Sequence, residues 1–213
     1  MNSITIDSTQ CISNLCEICA ESCTDKGPFT PPPGHRHPYS TPYSLFFEPL
    51  RNKPIKFMEI GIFSGASILA WRRFFTKARI YGFDIDMAAM QNAKNMNLPD
   101  VILDRMDAGS TEDMNAVFEK YTADGELFDV VIDDALHEVE QQAVTIRNAL
   151  KYVKQGGLLI IEDIFRDKDH SPYVALLEEM KDLISFSTFI VCDHQNRWSP
   201  GWNNDELLVI VRA

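Results

Sequence analysis

Acidic side chains and one histidine follow two apolar runs of the sequence, where they could share a metal ion. The run at 128–133 leads into Asp134 and, three residues later, His137; the run at 157–162 leads into Asp163. Two carboxylates held close together repel one another unless one is protonated or a cation lies between them. Oxygen ligands suit a hard cation such as Mg²⁺, and the histidine could serve as general base toward a substrate hydroxyl. The pattern predicts a Mg²⁺ site with a neighbouring base.

Each of these residues also has an ordinary structural alternative. Asp134 and Asp163 could cap the helices that follow them, and His137 could be a first-turn helical residue. Taken together, and beside a cofactor cleft, the three residues favour the site.

The elements that must position these residues alternate between strand and helix. Apolar runs predict strands near 55–60, 79–84, 100–103, 128–133 and 157–162, followed by two strands without a helix between them, 185–192 and 206–212. Helical periodicity predicts helices near 65–75, 87–95, 111–121, 137–153 and 172–183. This order is typical of an α/β fold: a Rossmann-like, doubly wound, mostly parallel seven-stranded sheet with an antiparallel C-terminal strand.

The loop after the first of these strands indicates a cofactor site. It carries Glu59, Gly61, Ser64 and Gly65, and the next strand ends in Asp84. Glycines let a ligand approach the backbone, and an acid at the end of the second strand can bind ribose hydroxyls. The spacing is GxxxG rather than the GxGxxG of dinucleotide sites. The E-x-G-x-x-x-G pattern resembles the first motif of class I S-adenosylmethionine (SAM) methyltransferases, so SAM is the expected cofactor.

Two further acids are candidates for the same cofactor site. Asp107 follows the third predicted strand and would face the adenine, and Asp133 ends the fourth. The Asp-Ala-Gly-Ser sequence that begins at Asp107 is equally good turn and capping chemistry, so both interpretations stay open for that residue.

The first 54 residues differ in composition from the rest. They predict a helix at 9–23, a Pro- and His-rich loop at 24–42 and a short helix at 43–50. We expect 1–54 to cover the cleft of a SAM-binding domain at 55–213. Four cysteines, Cys11, Cys16, Cys19 and Cys23, invite a zinc or iron–sulfur interpretation. The helical spacing of Cys16, Cys19 and Cys23 with Ile12 and Leu15 favours small apolar residues on one buried face.

Composition excludes several classes of partner. The net charge of −11 argues against nucleic acid and anionic membrane surfaces, because phosphate binding needs clustered Lys and Arg. No apolar run approaches the roughly 20 residues that span a bilayer, and the N-terminus lacks the features of a signal peptide. We therefore expect a cytoplasmic protein.

The chain resembles metal-dependent sugar O-methyltransferases of the macrocin and mycinamicin type and the related cephalosporin hydroxylase-like group. The resemblance covers most of the chain from Thr24 onward. Its pieces are Thr24-Asp25-Lys26-Gly27, His37-Pro38-Tyr39-Ser40 with Tyr43, Glu59-Ile60-Gly61 through Gly65 with Ala70-Trp71, Gly82-Phe83-Asp84-Ile85-Asp86, Asp133-Asp134-Ala135-Leu136-His137, Ile161-Glu162-Asp163-Ile164 and Asn204-Asp205-Glu206-Leu207-Leu208.

The resemblance implies Mg²⁺ ligation by Asp134 and Asp163, with His137 as base. It implies methyl transfer to a hydroxyl of a small molecule, such as a sugar or a glycosylated or polyketide-type natural product, and a homo-oligomer is an option. The family usually has Gly-Ser where this chain has Ala135-Leu136. A SAM-binding protein that does not transfer methyl groups is the main alternative. A nicotinamide-dependent reductase is disfavoured by the missing GxGxxG.

Histidine and aromatic residues on either side of the alternating strands and helices could form the acceptor pocket. The candidates are His37 and Tyr39 before the first strand and Trp198 and Trp202 between the last two, and His35 belongs with them. Ordinary loop packing explains these residues equally well, so both interpretations stay open.

Overall fold

A computed structural model describes residues 3–32 and 34–213 of the protein. Residues 1, 2 and 33, on which parts of the predictions for the N-terminus and for the loop at 24–42 fall, lie outside these ranges.

A mixed eight-stranded sheet forms the centre of the protein. Its strands are β1 (Ser3–Asp7), β2 (Lys56–Ile60), β3 (Arg79–Asp84), β4 (Val101–Arg105), β5 (Phe128–Asp133), β6 (Val153–Ile164), β7 (Ile184–Asp193) and β8 (Glu206–Arg212). They lie in the order β1-β7-β8-β6-β5-β2-β3-β4. Strand β8 is antiparallel to β6 and β7, and the other neighbours are parallel. The predicted α/β class and the antiparallel C-terminal strand are confirmed.

The sheet has eight strands rather than the predicted seven. The additional strand, β1, pairs in parallel with Phe189–Asp193 of β7 and lies at the edge of the sheet. Four of its five residues are exposed. A short exposed edge strand lacks the apolar run that identifies a buried strand, so its signal in the sequence is weak.

Within residues 3–32 and 34–213, seven α-helices cover the sheet. They are α1 (Asn14–Ser22), α2 (Ser40–Phe47), α3 (Ala66–Phe74), α4 (Met90–Asn95), α5 (Thr111–Thr122), α6 (Val139–Ala149) and α7 (Ser171–Glu179). Helix α1 is shorter than predicted because Ser13 caps its start and Cys23, at φ 57°, ends it. Helix α2 begins inside the predicted loop, at Ser40. Helix α6 ends at Ala149, where a one-turn 3-10 helix leads into β6.

The N-terminal helices belong to the same packed structure as the sheet. Leu15 and Cys19 of α1 and Tyr43 of α2 share one hydrophobic core with Trp71 of α3 and Phe57 of β2. The helical interpretation of the cysteines holds for Cys19 and for Cys16, which is also buried, whereas Cys11 and Cys23 are exposed. The domain division at residue 54 stays a prediction.

Each face of the sheet has its own core. Phe57 and Val130 pack on the side of α1, α2 and α3, whereas Met58 and Val131 pack on the side of α5, α6 and α7. The strand period of two sends neighbouring residues to opposite faces, and burial on both faces explains why β2 and β5 are nearly continuous apolar runs.

The chain reverses direction across the sheet between β2 and β5. After β2 it proceeds to β3 and β4 on one side, and β5 and β6 then extend the sheet on the other. Ile60 pairs with Asp133, and the amide of Asp134 donates a 2.8 Å hydrogen bond to the Ile60 carbonyl oxygen. The loops after β2 and β5 therefore begin side by side. Ligands of open α/β sheets bind at this kind of switch point.

The glycine loop after β2 yields a test of local packing. Gly65 has φ +85°, and a Cβ there would lie 2.3 Å from the Ala93 Cβ of α4. Gly125 has φ +81° but no atom within 4 Å of such a Cβ. We expect Gly125→Ala to cost about 1 kcal/mol of unfolding free energy for the left-handed backbone alone. Gly65→Ala should cost about 1–3 kcal/mol more because of overpacking.

Urea denaturation of the two variants and the wild type measures this difference. An equal decrease in unfolding free energy for Gly65→Ala and Gly125→Ala would show that contact with α4 does not constrain the loop.

Candidate active site

A cavity of about 450 Å³ opens at the carboxyl ends of the central strands, a size suited to a small ligand. A second cavity of about 330 Å³ adjoins it and shares Gly61 and Asp134 with it. The predicted site residues that line the larger cavity are Gly61, Asp84, Asp107, Asp134, His137, Asp163 and Trp202. Ser64 lines the smaller cavity.

Gly61 and Gly65 are required by contacts within the chain, and not only by the approach of a ligand. Gly61 has φ +86°, and a Cβ there would lie 2.2 Å from the backbone oxygen of Asp134. Gly65 is closed off by Ala93 and lines neither cavity. Ligand approach is thus an incomplete explanation of the motif, because the loop conformation and the close passage of neighbouring segments already require glycine at both positions.

Asp84 connects the glycine loop to the end of β3. Its Oδ2 accepts a 2.7 Å hydrogen bond from the Phe63 amide, and its Oδ1 accepts a 2.9 Å bond from the Asp86 amide. A carboxylate oxygen can accept a second hydrogen bond, so Asp84 retains capacity for a ligand in the cavity. Phe63 itself has φ 44°.

Asp107 lies across the cavity, at the turn after β4. Its Oδ1 accepts a 2.9 Å hydrogen bond from the Gly109 amide, and its own amide donates to Asp113 at 2.6 Å. The turn interpretation is therefore correct, and Asp107 also lines the cavity.

The structure brings Asp134, His137 and Asp163 together. Each offers a potential ligand atom, and these atoms all lie within 4.8 Å of one another. His137 Nε2 is 3.4 Å from Asp163 Oδ2. Burial lowers the pKa of His137, although the charge of Asp163 acts in the opposite direction. A neutral imidazole is the form that accepts a proton or binds a metal.

Asp163 is held in an unusual backbone conformation. Its φ is 57°, and the register of β6 with β8 shifts between Ile161 and Ile164. Such bulges re-aim side chains at sites, and left-handed non-glycine residues are found where the surrounding contacts impose them. Here Tyr39 donates to Asp163 Oδ1 at 2.6 Å, and Asn204 donates to Oδ2 at 3.0 Å.

These side chains fit a hard divalent cation. Two carboxylates supply oxygen ligands and an imidazole supplies nitrogen, a donor set compatible with Mg²⁺ or Mn²⁺. The adjoining cavity leaves room for water and a substrate oxygen. Nδ1 of His137 is buried without a hydrogen-bond partner in the described part of the chain, which is consistent with a ligand or a substrate as its partner.

A buried lysine lies beneath the site. Lys26 is 1% exposed, and its Nζ lies 2.5 Å from Asp134 Oδ2, 2.6 Å from Glu162 Oε2 and 3.2 Å from Glu59 Oε1. The two shorter contacts are hydrogen bonds that the ammonium donates, and the contact with Glu59 is an ion pair. Gly27 allows this approach, since a Cβ there would lie 2.8 Å from the Cys19 Cβ.

The electrostatics of the Lys26 cluster follow from burial and charge. Burial alone would lower the pKa of Lys26, but Asp134, Glu162 and Glu59 raise it well above its usual range. Burial raises the pKa of Glu162 to about 8, against the opposing charge of Lys26. Burial likewise raises the pKa of Asp134, with Lys26 again opposing. The cluster therefore depends on its single ammonium.

Like Gly65, the predicted cofactor residues Glu59 and Asp133 line neither cavity. Glu59 is fully buried, and its Oε2 accepts hydrogen bonds from Ser67 at 2.7 Å and Trp71 at 3.1 Å. Asp133 is 2% exposed, accepts from the Ala135 amide at 3.2 Å, and has a pKa raised by burial to about 6. A position at a strand end does not fix the face to which a side chain points, and we revise both to supporting roles.

The four predicted substrate residues occupy different positions. Tyr39 is fully buried behind Asp163 and offers no surface to an acceptor, so we revise it to a supporting residue. His37 is 3% exposed and stacks on Tyr39. Trp198 is exposed and pairs with Arg36 in an isolated β-bridge, and it does not line the larger cavity. Trp202 is half-exposed and lines it, as does His35.

Sequence reasoning missed the roles of Lys26, Tyr43 and Asn204. All three lie in segments that carry the family resemblance, which was the only available signal for them. Tyr43 donates a 2.5 Å hydrogen bond to Glu162 Oε1. Their partners are more than 40 positions away in the chain, so no local pattern reveals the contacts.

Comparison with known proteins agrees with this architecture. The mycinamycin-pathway methyltransferase MycE, solved with Mg, S-adenosylhomocysteine and mycinamycin VI, superposes with a TM-score of 0.69 at 20% identity, covering 94% of this chain and 55% of that one. A putative O-methyltransferase from Klebsiella pneumoniae superposes with a TM-score of 0.58 at 17% identity, covering 95% and 91%. These similarities show a Rossmann-like methyltransferase fold.

The methyltransferase domain family matches residues 55–206. The chain belongs to this family. It is 30% identical over 143 residues to demethylmacrocin O-methyltransferase from Streptomyces fradiae and 28% identical over 144 residues to mycinamicin VI 2''-O-methyltransferase from Micromonospora griseorubida. Each match covers 64% of this chain, which spans about a third of each relative, 34% in both cases.

Among the described residues, no helix combines the length and apolar character needed to cross a membrane.

The Lys26 cluster yields a stability prediction. Lys26→Met should lower the unfolding free energy by about 3–5 kcal/mol, because it leaves buried carboxylates without a counter-charge. Lys56→Met is a matched control: this lysine is also buried, but its partner Asp124 is 47% exposed and can be solvated by water. Lys56→Met should lower the unfolding free energy markedly less than Lys26→Met does.

Urea denaturation with a metal chelator present compares the two variants. A Lys26→Met loss no larger than that of Lys56→Met would contradict a central role for the Lys26 ammonium.

Proposed function

We propose that the protein is a SAM-dependent O-methyltransferase that acts on a hydroxyl group of a small molecule. The observation that carries the proposal is the convergence of Asp134, His137 and Asp163 at one end of a cavity whose other side is formed by the glycine loop and Asp84. Family membership and the names of the two relatives, both O-methyltransferases, support it. The substrate class is inferred from those names, which refer to glycosylated natural products.

The cofactor would occupy the side of the cavity near β2, β3 and β4. Asp84 would accept hydrogen bonds from the ribose hydroxyls, and Asp107 would lie near the adenine. Gly61 and Ser64 would border the methionine portion, since both line the smaller cavity. SAM carries a reactive sulfonium, so the protein contributes mainly binding and orientation.

The acceptor hydroxyl would lie against the acidic end of the cavity. Asp134 and Asp163 would hold Mg²⁺, which when bound would polarise the hydroxyl and fix its position. His137 would take the hydroxyl proton on its neutral imidazole. Bound beside this hydroxyl, SAM would supply the methyl group, with its carbon–sulfur bond exchanged for a bond to the acceptor oxygen and S-adenosylhomocysteine as the second product.

Two exposed apolar side chains of the cavity would contact an acceptor. Leu136 is 51% exposed and Trp202 is 48% exposed, and both line the cavity beside His137. Exposed apolar side chains around a polar centre are typical of a small-molecule site. They would cover the apolar part of the acceptor. A homo-oligomer and a cytoplasmic location stay predictions.

Cofactor binding can be measured without knowledge of the acceptor. SAM should raise the melting temperature, and NAD should not. Asp84→Ala should weaken SAM binding about 10- to 100-fold, because hydrogen bonds to a charged group contribute about 1.5–3 kcal/mol. Asp182→Ala, which removes an exposed acid outside both cavities, should leave the affinity unchanged.

Isothermal titration calorimetry checks the affinities. A larger shift with NAD than with SAM would favour a nicotinamide-dependent enzyme, and equal affinities in the two variants would remove Asp84 from the cofactor site.

Methyl transfer is tested with a panel of glycosides and catechols in the presence of Mg²⁺, by mass spectrometry of S-adenosylhomocysteine. His137→Ala should lower the rate about 10²- to 10⁴-fold, the typical contribution of a general base, while SAM binding survives. Asp134→Asn should abolish activity or its dependence on Mg²⁺.

His170→Ala is the matched control, since this histidine has similar exposure, 24% against 30% for His137, and lies outside the cavity. Rates unchanged from wild type in both His137→Ala and Asp134→Asn would contradict the assignment. Tight SAM binding with no product from any acceptor would instead favour the non-methylating alternative.

A further inference from the structure

The carboxylates around Lys26 form a cage for one cation. The second oxygen of Glu59 is already bonded to Ser67 and Trp71, and the second oxygen of Glu162 is bonded to Tyr43. Each glutamate therefore directs only one oxygen toward Lys26 Nζ. Glu59 and Glu162 are fully buried and Asp134 is mostly buried, so three converging carboxylate oxygens favour a positive charge at that point.

Asp134 belongs to this cage and to the proposed metal centre at once. Its Oδ2 lies 2.5 Å from Lys26 Nζ, and the same residue contributes to the group formed with His137 and Asp163. A carboxylate shared by two neighbouring cations is the arrangement of two-metal centres, in which the ions lie about 3.5–4 Å apart. Here an ammonium takes one of the two positions.

We propose that Lys26 replaces the second metal ion of a dinuclear centre and limits the site to one divalent cation. The inference rests on the metal centre of the proposed function. The ammonium donates hydrogen bonds to Asp134 Oδ2 and Glu162 Oε2 and forms an ion pair with Glu59 Oε1, and unlike a metal ion it offers no free coordination position to water or substrate. Only the outer position, which faces the cavity, can then bind an exchangeable ion.

The alternative is that Lys26 serves only as an ion pair that fastens the N-terminal segment. The two roles differ in what happens when the side chain is removed. If the cage is a cation site, a divalent ion should enter the space that Lys26→Ala opens, since all-oxygen cages suit Mg²⁺ and Mn²⁺. Lys26→Met removes the same charge but fills the space, so it is the matched control.

Mn²⁺ titration followed by electron paramagnetic resonance counts the ions in each variant. Wild type and Lys26→Met should bind at most one Mn²⁺ per chain at this site. Lys26→Ala should bind two, with the exchange-coupled spectrum of a bridged pair. Saturating Mn²⁺ should also raise the melting temperature of Lys26→Ala more than that of Lys26→Met or wild type, because the ion restores the missing charge.

Two Mn²⁺ ions at this site in the wild type would overturn the proposal, and so would a single ion in Lys26→Ala without added stabilisation. If Lys26→Ala unfolds without metal, it should refold in saturating Mn²⁺, and failure to refold counts against the proposal. No Mn²⁺ in the wild type but one ion in Lys26→Ala would contradict the proposed metal centre while supporting the role of Lys26.

Discussion

The buried ammonium of Lys26 is the interaction on which the site depends. It connects the N-terminal segment to acids from three neighbouring strands, namely Glu59 on β2, Asp134 after β5 and Glu162 on β6. Without a cation these carboxylates would repel one another in a region with little access to water, and the strand ends would have to separate or take up protons. The arrangement of acids at this end of the cavity therefore depends on Lys26, in residues 24–27, as well as on the sheet.

Local backbone rules are broken where the chemistry is expected. Asp163 adopts a left-handed conformation at a bulge in β6, and Tyr39 and Asn204 hold its two oxygens. These supporting residues come from the N-terminal segment and from the segment before β8. The carboxyl ends of the central strands therefore fix Asp134. Contacts from segments outside the alternating strands and helices fix Asp163. This division is common where a fold accepts strain for function.

Much of the fold follows from the sequence because its signals are local. The apolar runs of β2, β5 and β6, the glycine loop and the acids at strand ends all lie within short windows. The direction in which each acidic side chain points is not determined by the local sequence. Glu59 and Asp133 line neither cavity: Glu59 accepts hydrogen bonds from Ser67 and Trp71 of α3, and Asp133 accepts one from the Ala135 amide. The Lys26 contacts join residues 108 and 136 positions apart, and the exposed edge strand β1 lacks an apolar run. Tertiary packing decides all of these.

The central claim is that one cavity holds SAM beside a metal centre at Asp134 and Asp163. A crystal grown with Mn²⁺ and S-adenosylhomocysteine tests it most directly, through the anomalous scattering of manganese. The account predicts one manganese peak between Asp134 and Asp163, S-adenosylhomocysteine against Asp84, and Lys26 still in contact with Asp134. Manganese bound elsewhere, or a cavity without S-adenosylhomocysteine, would contradict it.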